Sequence, residues 1–258
     1  MMSDIKIQIR NLYKSFGSNK VLQGIDLDVH DGQSIAIIGA SGTGKSVLLK
    51  CILGLIKPDS GSATVDGIET VGASRQTRED VLRKFGMLFQ GGALFDSLPV
   101  WENIMFRFRQ NNALSIDELR QVATDTLADV LLEERVLDLY PAELSGGMQK
   151  RVGLARAIAD KPGILFFDEP TSGLDPITSG VINRLIRNAV DRLGATAMTI
   201  SHDMNSVRQI ADQVAMIHDG HIIWQGSVKD METVDHPVVH QFVHGLPTGP
   251  LTKYAESI

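Results

Sequence analysis

Residues 39–46 read Gly39-Ala40-Ser41-Gly42-Thr43-Gly44-Lys45-Ser46, the G-x-x-x-x-G-K-S spacing of a P-loop, in which each residue type suits a bound triphosphate. Glycines let successive main-chain N–H groups turn inward around an anion, and a helix starting there adds the partial positive charge of its N-terminus. Lys45 has the reach for the β- and γ-phosphates, and the Ser46 hydroxyl can ligate Mg²⁺. Val47 completes the predicted phosphate-binding stretch. A second group of residues fits hydrolysis at such a site. Asp168 closes the apolar run Ile164-Leu165-Phe166-Phe167 and suits the Mg²⁺ shell through water. Glu169 beside it can orient and deprotonate the attacking water, a contribution of about 10²–10⁴-fold in rate. Gln90 follows the apolar Gly86-Met87-Leu88-Phe89 and could hold either the metal or the water through its amide. His202 follows Ala197-Met198-Thr199-Ile200-Ser201 and could bond the γ-phosphate or hold the water. The predicted catalytic set is therefore Glu169, His202 and Gln90, with Ser46, Gln90 and Asp168 as metal-side residues. The chemistry is hydrolysis of a nucleoside triphosphate.

Such residues need strands that end at one edge. Ser34-Ile35-Ala36-Ile37-Ile38 is a short apolar run of the kind buried on both faces, and the apolar stretch 47–53 after the loop has helical length. Ahead of them, Ile5, Ile7 and Ile9 alternate with polar residues, and Leu22, Ile25, Leu27 and Val29 continue the pattern to a turn at Asp31-Gly32. Ser62–Val65 with Asp66-Gly67 reads as another hairpin. Helical signals dominate from about 103 to 160, including the capping box Ser115-Ile116-Asp117-Glu118. Leu144-Ser145-Gly146-Gly147 opens a further helix, and Asp175 with Pro176 caps one running to about Leu193. Val214–Ile217, Asp219-Gly220 and Ile222–Trp224 form a hairpin, Ser227 caps a short final helix, and the proline-bearing end reads as an extended tail over 246–258. The fold class is α/β: a P-loop core in residues 1–245, interrupted by a helical insert over about 91–160, with an extra antiparallel sheet. Ser46, Gln90, Asp168 and His202 then fall at or just beyond strand C-termini, where open parallel sheets carry their sites.

Composition narrows the function classes. The 258 residues suffice for one large α/β domain, and 31 acidic against 25 basic residues leave a formal charge of −6, which weighs against a nucleic-acid partner. A single cysteine, Cys51, permits no internal disulfide and is expected to pack in the apolar helix. The start Met1–Lys6 lacks the apolar core of a signal peptide, and nowhere do 18 apolar residues run together.

The ordered set Gly39–Ser46, Gln90, Leu144-Ser145-Gly146-Gly147-Met148, Ile164–Glu169, Ser172-Gly173-Leu174-Asp175 and His202 resembles the motifs of ABC-transporter ATPase subunits over about residues 5–230. The resemblance implies a RecA-like P-loop NTPase core with an ABC antiparallel β subdomain and an inserted α-helical subdomain. It also implies ATP and Mg²⁺ as ligands and a head-to-tail dimer sandwiching two ATP molecules. Ser145, Gly146 and Gly147 of one copy would meet the γ-phosphate held by the other, with Asp175 also among the nucleotide-site residues. Phe16 matches the adenine-stacking aromatic, with Tyr13 as the alternative. One residue departs from the pattern: Met148 stands where the family usually has Gln, and Gln149 follows one place later.

A finer resemblance, through Phe89–Leu98, Leu144–Arg151 and the tail His236–Phe242 with Gly249-Pro250-Leu251, is to the ATPases of Mla/Mce-type phospholipid transport. It implies peripheral attachment at the cytoplasmic face of the bacterial inner membrane, in a system that maintains outer-membrane lipid asymmetry. The implied partners are integral-membrane permease subunits, a periplasmic Mce-domain lipid-binding protein and, in some members, a small STAS-domain protein. Phe95, Leu98, Trp101 and Ile104 are either core or a groove for the permease's coupling helix. An importer of amino acids or ions and a non-transport ABC ATPase are the rival functions. Lys150, Arg151 and Arg156 are expected on the solvated face of their helix, and His236, His240 and His244 in a tail without metal-binding function.

Overall fold

The computed structural model describes residues 4–109 and 114–252. In chain order it runs β1 (Ile5–Phe16), β2 (Asn19–His30), β3 (Ser34–Ile38), α1 (Lys45–Ile52), β4 (Ser60–Val65), β5 (Ile68–Glu69), α2 (Arg75–Leu82) and β6 (Phe85–Leu88). There follow α3 (Val100–Ile104), α4 (Phe106–Arg109), α5 (Ile116–Asp129), α6 (Gly146–Ile158), β7 (Ile164–Asp168), α7 (Pro176–Leu193) and β8 (Thr196–Ile200). The last elements are α8 (Met204–Ile210), β9 (Gln213–His218), β10 (His221–Ser227), α9 (Val228–Met231) and α10 (Pro237–His244). They fall into two compact units, Met1–Arg78 with Ile200–Ile258, and Glu79–Thr199.

The first unit holds an antiparallel sheet in the order β2-β1-β4-β5 and the strand series β10-β9-β3. The alternation read from the sequence is the reason for the first sheet. Ile7, Ile9 and Leu12 of β1 and Leu22, Ile25, Leu27 and Val29 of β2 are all buried. The two strands run longer than the alternation alone suggested, because an irregularity between Ile9 and Leu12, with Asn11 at φ 48°, resets the register and lets pairing continue to Phe16. All five residues of β3 are buried, as expected of a strand parallel to β9 and covered on both faces.

The C-terminal part departs from the sequence reading. Ser227 caps α9 as expected, yet α9 is not the final helix. Pro237 serves as the first helical residue of α10, and α10 buries Val239 and Val243 against Ala36, Ile38, Val214 and Met216. Residues 246–252 are not extended. Gln241 donates to the Leu246 carbonyl at 3.1 Å and accepts from Leu251 N at 2.7 Å, curling the chain into a 3₁₀ turn at Pro250–Thr252. The remainder of the predicted tail, residues 253–258, and residues Met1–Ser3 lie outside the described residues. His240 and His244 lie one turn apart on α10 with ring centroids 4.5 Å apart.

In the second unit the strands are ordered β8-β7-β6, with β6 and β7 parallel in the register Phe85↔Ile164 to Leu88↔Phe167. Helix α5 begins in the predicted capping box, Glu118 N bonding Ser115 Oγ at 3.3 Å and Ser115 N bonding Glu118 Oε2 at 2.8 Å. Helix α7 spans the predicted range, with Asp175 as N-cap and Gly194 in the left-handed conformation at its end. Trp101 and Ile104 are core, Leu98 is half-buried, and Phe95 is exposed and stacks on Phe106 at 4.3 Å. Helix α6 lies against β6 at very short range: a Cβ on Gly86 would sit 2.0 Å from the Ala157 carbonyl oxygen.

That contact sets a stability test. Gly86→Ala is expected to destabilise the protein by at least about 1–3 kcal/mol, the usual cost of overpacking. Gly163→Ala, where a Cβ meets nothing within 4 Å, should stay within about 0.5 kcal/mol of the parent. Urea denaturation of the two variants measures the difference.

Candidate functional site

The first unit carries the phosphate loop. Strand β3 ends at Ile38, and the loop turns through glycines whose conformations exclude other residues. At Gly39 φ is 147°, and a Cβ would lie 2.3 Å from the Ile217 carbonyl oxygen. The loop enters α1 at Lys45 with Gly44 as its left-handed N-cap. Lys45 is buried and its ammonium donates to the carbonyls of Gly39 at 2.7 Å and Ala40 at 2.8 Å. Thr43 Oγ1 donates to Ala40 O at 2.9 Å, so the Gly39 and Ala40 carbonyls both find donors within the loop. Ser41 and Gly42 form an exposed rim, while Ser46 and Val47 on the first turn of α1 are half-buried. A loop without side-chain bulk on its inner side, opening a helix and holding one ammonium, fits a triphosphate group.

His202 belongs to the same edge. Ser201 N donates to the Ile37 carbonyl at 3.3 Å, and Asp203 then caps α8, which leaves His202 exposed just beyond the end of β8. The hairpin bearing Tyr13 and Phe16 is fixed to the loop by close packing, because the Val21 carbonyl lies 2.9 Å from where a Cβ on Gly44 would be. Phe16 is half exposed, with the Lys14 ammonium 5.2 Å from its ring centroid, and Tyr13 is exposed to a similar degree.

The second unit brings together Gln90, Asp168, Glu169 and the start of α6. Asp168 ends β7 half-buried. Glu169 follows with φ 48°, a left-handed conformation that costs a non-glycine residue about 1–2 kcal/mol. Its carbonyl, turned by that conformation, accepts from Ser172 N at 3.1 Å and from the Lys150 ammonium at 3.4 Å. The same ammonium donates to the Gln90 carbonyl, and the Gln90 amide reaches Ser172 Oγ at 3.4 Å. Gln90, Glu169 and Ser172 are thus joined around Lys150.

Here the sequence reading is corrected. Lys150 is buried rather than solvated. Arg156 donates to the carbonyls of Gly92 and Ala93, both at 2.8 Å, and Arg151 donates to Leu131 O at 2.9 Å and Gly147 O at 3.4 Å. Burial pushes the Lys150 ammonium below its ordinary pKa, while the Asp168 and Glu169 carboxylates oppose that shift. The signal that marks these residues is their setting. From Lys150 onward they punctuate a helix whose other positions, Val152, Gly153, Leu154, Ala155, Ala157 and Ile158, are buried all round.

At the start of α6, Ser145 is the N-cap, its hydroxyl accepting from Met148 N at 3.3 Å, and Ser145 and Gly146 are exposed. Gln149 donates to the carbonyls of Pro141 at 2.9 Å and Leu144 at 3.3 Å, so the glutamine one place late secures the loop leading into the helix. Asp175 accepts from Ile177 N, Thr178 N and Thr178 Oγ1 as the cap of α7, and the Thr178 hydroxyl together with these amides holds its carboxyl below the ordinary aspartate range.

Comparison with known proteins agrees with the geometry. Residues 22–172, which include the phosphate loop, Gln90, Ser145–Gly147, Asp168 and Glu169, match the family model described as ABC transporter. The chain is 38% identical over 245 residues to the intermembrane phospholipid transport system ATP-binding protein MlaF of Escherichia coli K12, covering 95% of this chain and 91% of that one. It is 36% identical over 253 residues to the probable ribonucleotide transport ATP-binding protein mkl of Mycobacterium leprae, covering 97% and 72%. A dimeric ATP-binding cassette bound to ADP and Pi superposes with a TM-score of 0.78 at 31% identity, covering 86% of this chain and 98% of that one. With more than half its length matched by that model, the chain belongs to the ABC transporter family, as an ATP-hydrolysing cassette.

Proposed function

We propose that this chain powers phospholipid movement by a membrane transporter, hydrolysing ATP as a head-to-tail pair of copies. The observation that carries the nucleotide part is the cradle at Gly39–Ser46, with the buried Lys45 ammonium held over its own loop carbonyls and able to exchange them for phosphate oxygens. Ser46, Gln90 and Asp168 are the residues that would hold Mg²⁺. The ion, when bound, neutralises charge on the β- and γ-phosphate oxygens. Glu169 takes the proton of the attacking water, and the constrained turn 169–172 fixes where its carboxylate starts. His202 bonds the γ-phosphate or holds the water. Phe16, with Tyr13 as the alternative, stacks on adenine.

Ser145, Gly146 and Gly147 lie at the N-terminus of α6, where main-chain N–H groups of the first turn suit an anion, and in this reading that anion is the triphosphate of the second copy. Asp175 orders the adjacent start of α7. The lipid substrate rests on the name borne by the E. coli relative and on the sequence resemblance of segments 89–98 and 144–151. The name of the mycobacterial relative favours ribonucleotide as the second reading. No helix among the described residues is long and apolar enough to cross a membrane, and in this reading permease subunits supply the crossing. A periplasmic Mce-domain protein and a small STAS-domain protein complete the assembly, which sits at the cytoplasmic face of the inner membrane.

Glu169→Gln is expected to keep ATP binding and to trap an ATP-bound dimer while steady-state hydrolysis falls about 10²–10⁴-fold; unchanged turnover would remove Glu169 from the base role. Phe16→Ala should weaken ATP binding by about 0.5–1.5 kcal/mol, read as the shift in Kd by calorimetry. If Phe16 is not the stacking residue, Tyr13→Ala produces that shift instead. For the substrate, the complex purified from native membranes and reconstituted in liposomes should move labelled phospholipid in an ATP-dependent way. Uptake of ribonucleotide with no lipid transfer would establish the second reading.

A further inference from the structure

We infer that Lys150 is a positioning residue that couples the phosphate-facing start of α6 to the loops carrying Gln90 and Glu169. This rests on the hydrolytic roles proposed above for those two residues.

The argument begins with cost. An ammonium buried in protein must be solvated by protein groups, and an apolar residue of similar volume usually serves packing at least as well. Lys150 is 6% exposed, and its ammonium donates to two main-chain carbonyls, those of Gln90 and Glu169. Here the ammonium takes the carbonyl of the residue proposed for the metal side and that of the residue proposed as base. The left-handed φ of Glu169 is what turns its carbonyl towards Lys150 and Ser172 N, so the strained residue is held by the bonds it makes. Arg156, on the same helix, holds the carbonyls of Gly92 and Ala93. The segment 90–93 is thereby fastened to α6 at two points, and Lys150 is the one that also reaches Glu169. Lys150 stands four residues after Gly146, about 6 Å along the helix axis. A small displacement of α6 when its N-terminus meets a phosphate is passed through one side chain to both loops.

The test uses the full chain with Lys150→Met, which removes the charge at nearly constant volume, and Lys150→Arg, whose guanidinium can still donate to two carbonyls. The expected result for Lys150→Met is a fall in kcat of about 10–100-fold, the scale of an ångström-sized misplacement. Its Kd for ATP, measured by calorimetry, should stay within a factor of about three, separating turnover from binding. Lys150→Arg should recover most of the lost kcat. Wild-type turnover in Lys150→Met, or a loss of turnover matched by an equal loss of ATP affinity, overturns the proposal. Should Lys150→Met fail to fold, Lys150→Gln replaces it: reduced kcat relative to Lys150→Arg supports the coupling, and equal kcat overturns it. Failure of the underlying hydrolytic reading is distinguishable, because the wild-type chain would then hydrolyse no ATP or Glu169→Gln would hydrolyse it normally.

Discussion

A charged group inside a protein is stable only if protein dipoles replace its water. Among the described residues Lys45 and Lys150 are the two charged side chains that are fully buried, one in each compact unit. Both meet the requirement in the same way, by donating to main-chain carbonyls of a loop: Gly39 and Ala40 for Lys45, Gln90 and Glu169 for Lys150. Such bonds hold main-chain carbonyls of each loop in place. They also fix the loop's path without using side chains that chemistry needs. The phosphate loop, Gln90 and Glu169 sit on loops held by these two ammonium groups.

The surrounding architecture follows from how close the main chain must come. Gly39 lies against the Ile217 carbonyl and Gly86 against the Ala157 carbonyl at separations no Cβ tolerates. The first brings β9 up to the phosphate loop. The second seats α6 directly on β6, which is why a lysine from that helix can reach loops following both β6 and β7. The C-terminal helix α10 completes the first unit by covering β3 and β9 with Val239 and Val243.

Much of this was legible in the residues. The P-loop spacing located a strand, a turn and a helix within one or two positions, since glycine requirements and a fully apolar strand leave few alternatives. Asp175-Pro176 gave the start of α7, and the Ser115–Glu118 box the start of α5, because capping is local chemistry. What escaped was non-local. Lys150 and Arg156 read as surface charges, since a sequence does not reveal that Gly86 and Gly153 draw the chain close enough to offer carbonyls to them. The stretch from Pro237 read as tail because its prolines are local, while the packing of Val239 and Val243 that makes it a helix is not. Gln149, displaced by one position from the familiar motif, proved to bond the loop before α6, a role set by the approach of Pro141 and Leu144.

The central claim is that the phosphate loop is half of a site and the start of α6 in a second copy is the other half. Mixing two inactive chains tests it most directly. Lys45→Ala removes the phosphate-binding half and leaves the start of α6 intact, while Ser145→Arg blocks the start of α6 and leaves the loop intact. Neither chain alone should hydrolyse ATP. The equimolar mixture should regain steady-state hydrolysis, because one pairing joins the intact loop of one chain to the intact helix start of the other. A mixture as inactive as its two components, with both chains folded, would contradict the account and place the whole site within a single copy.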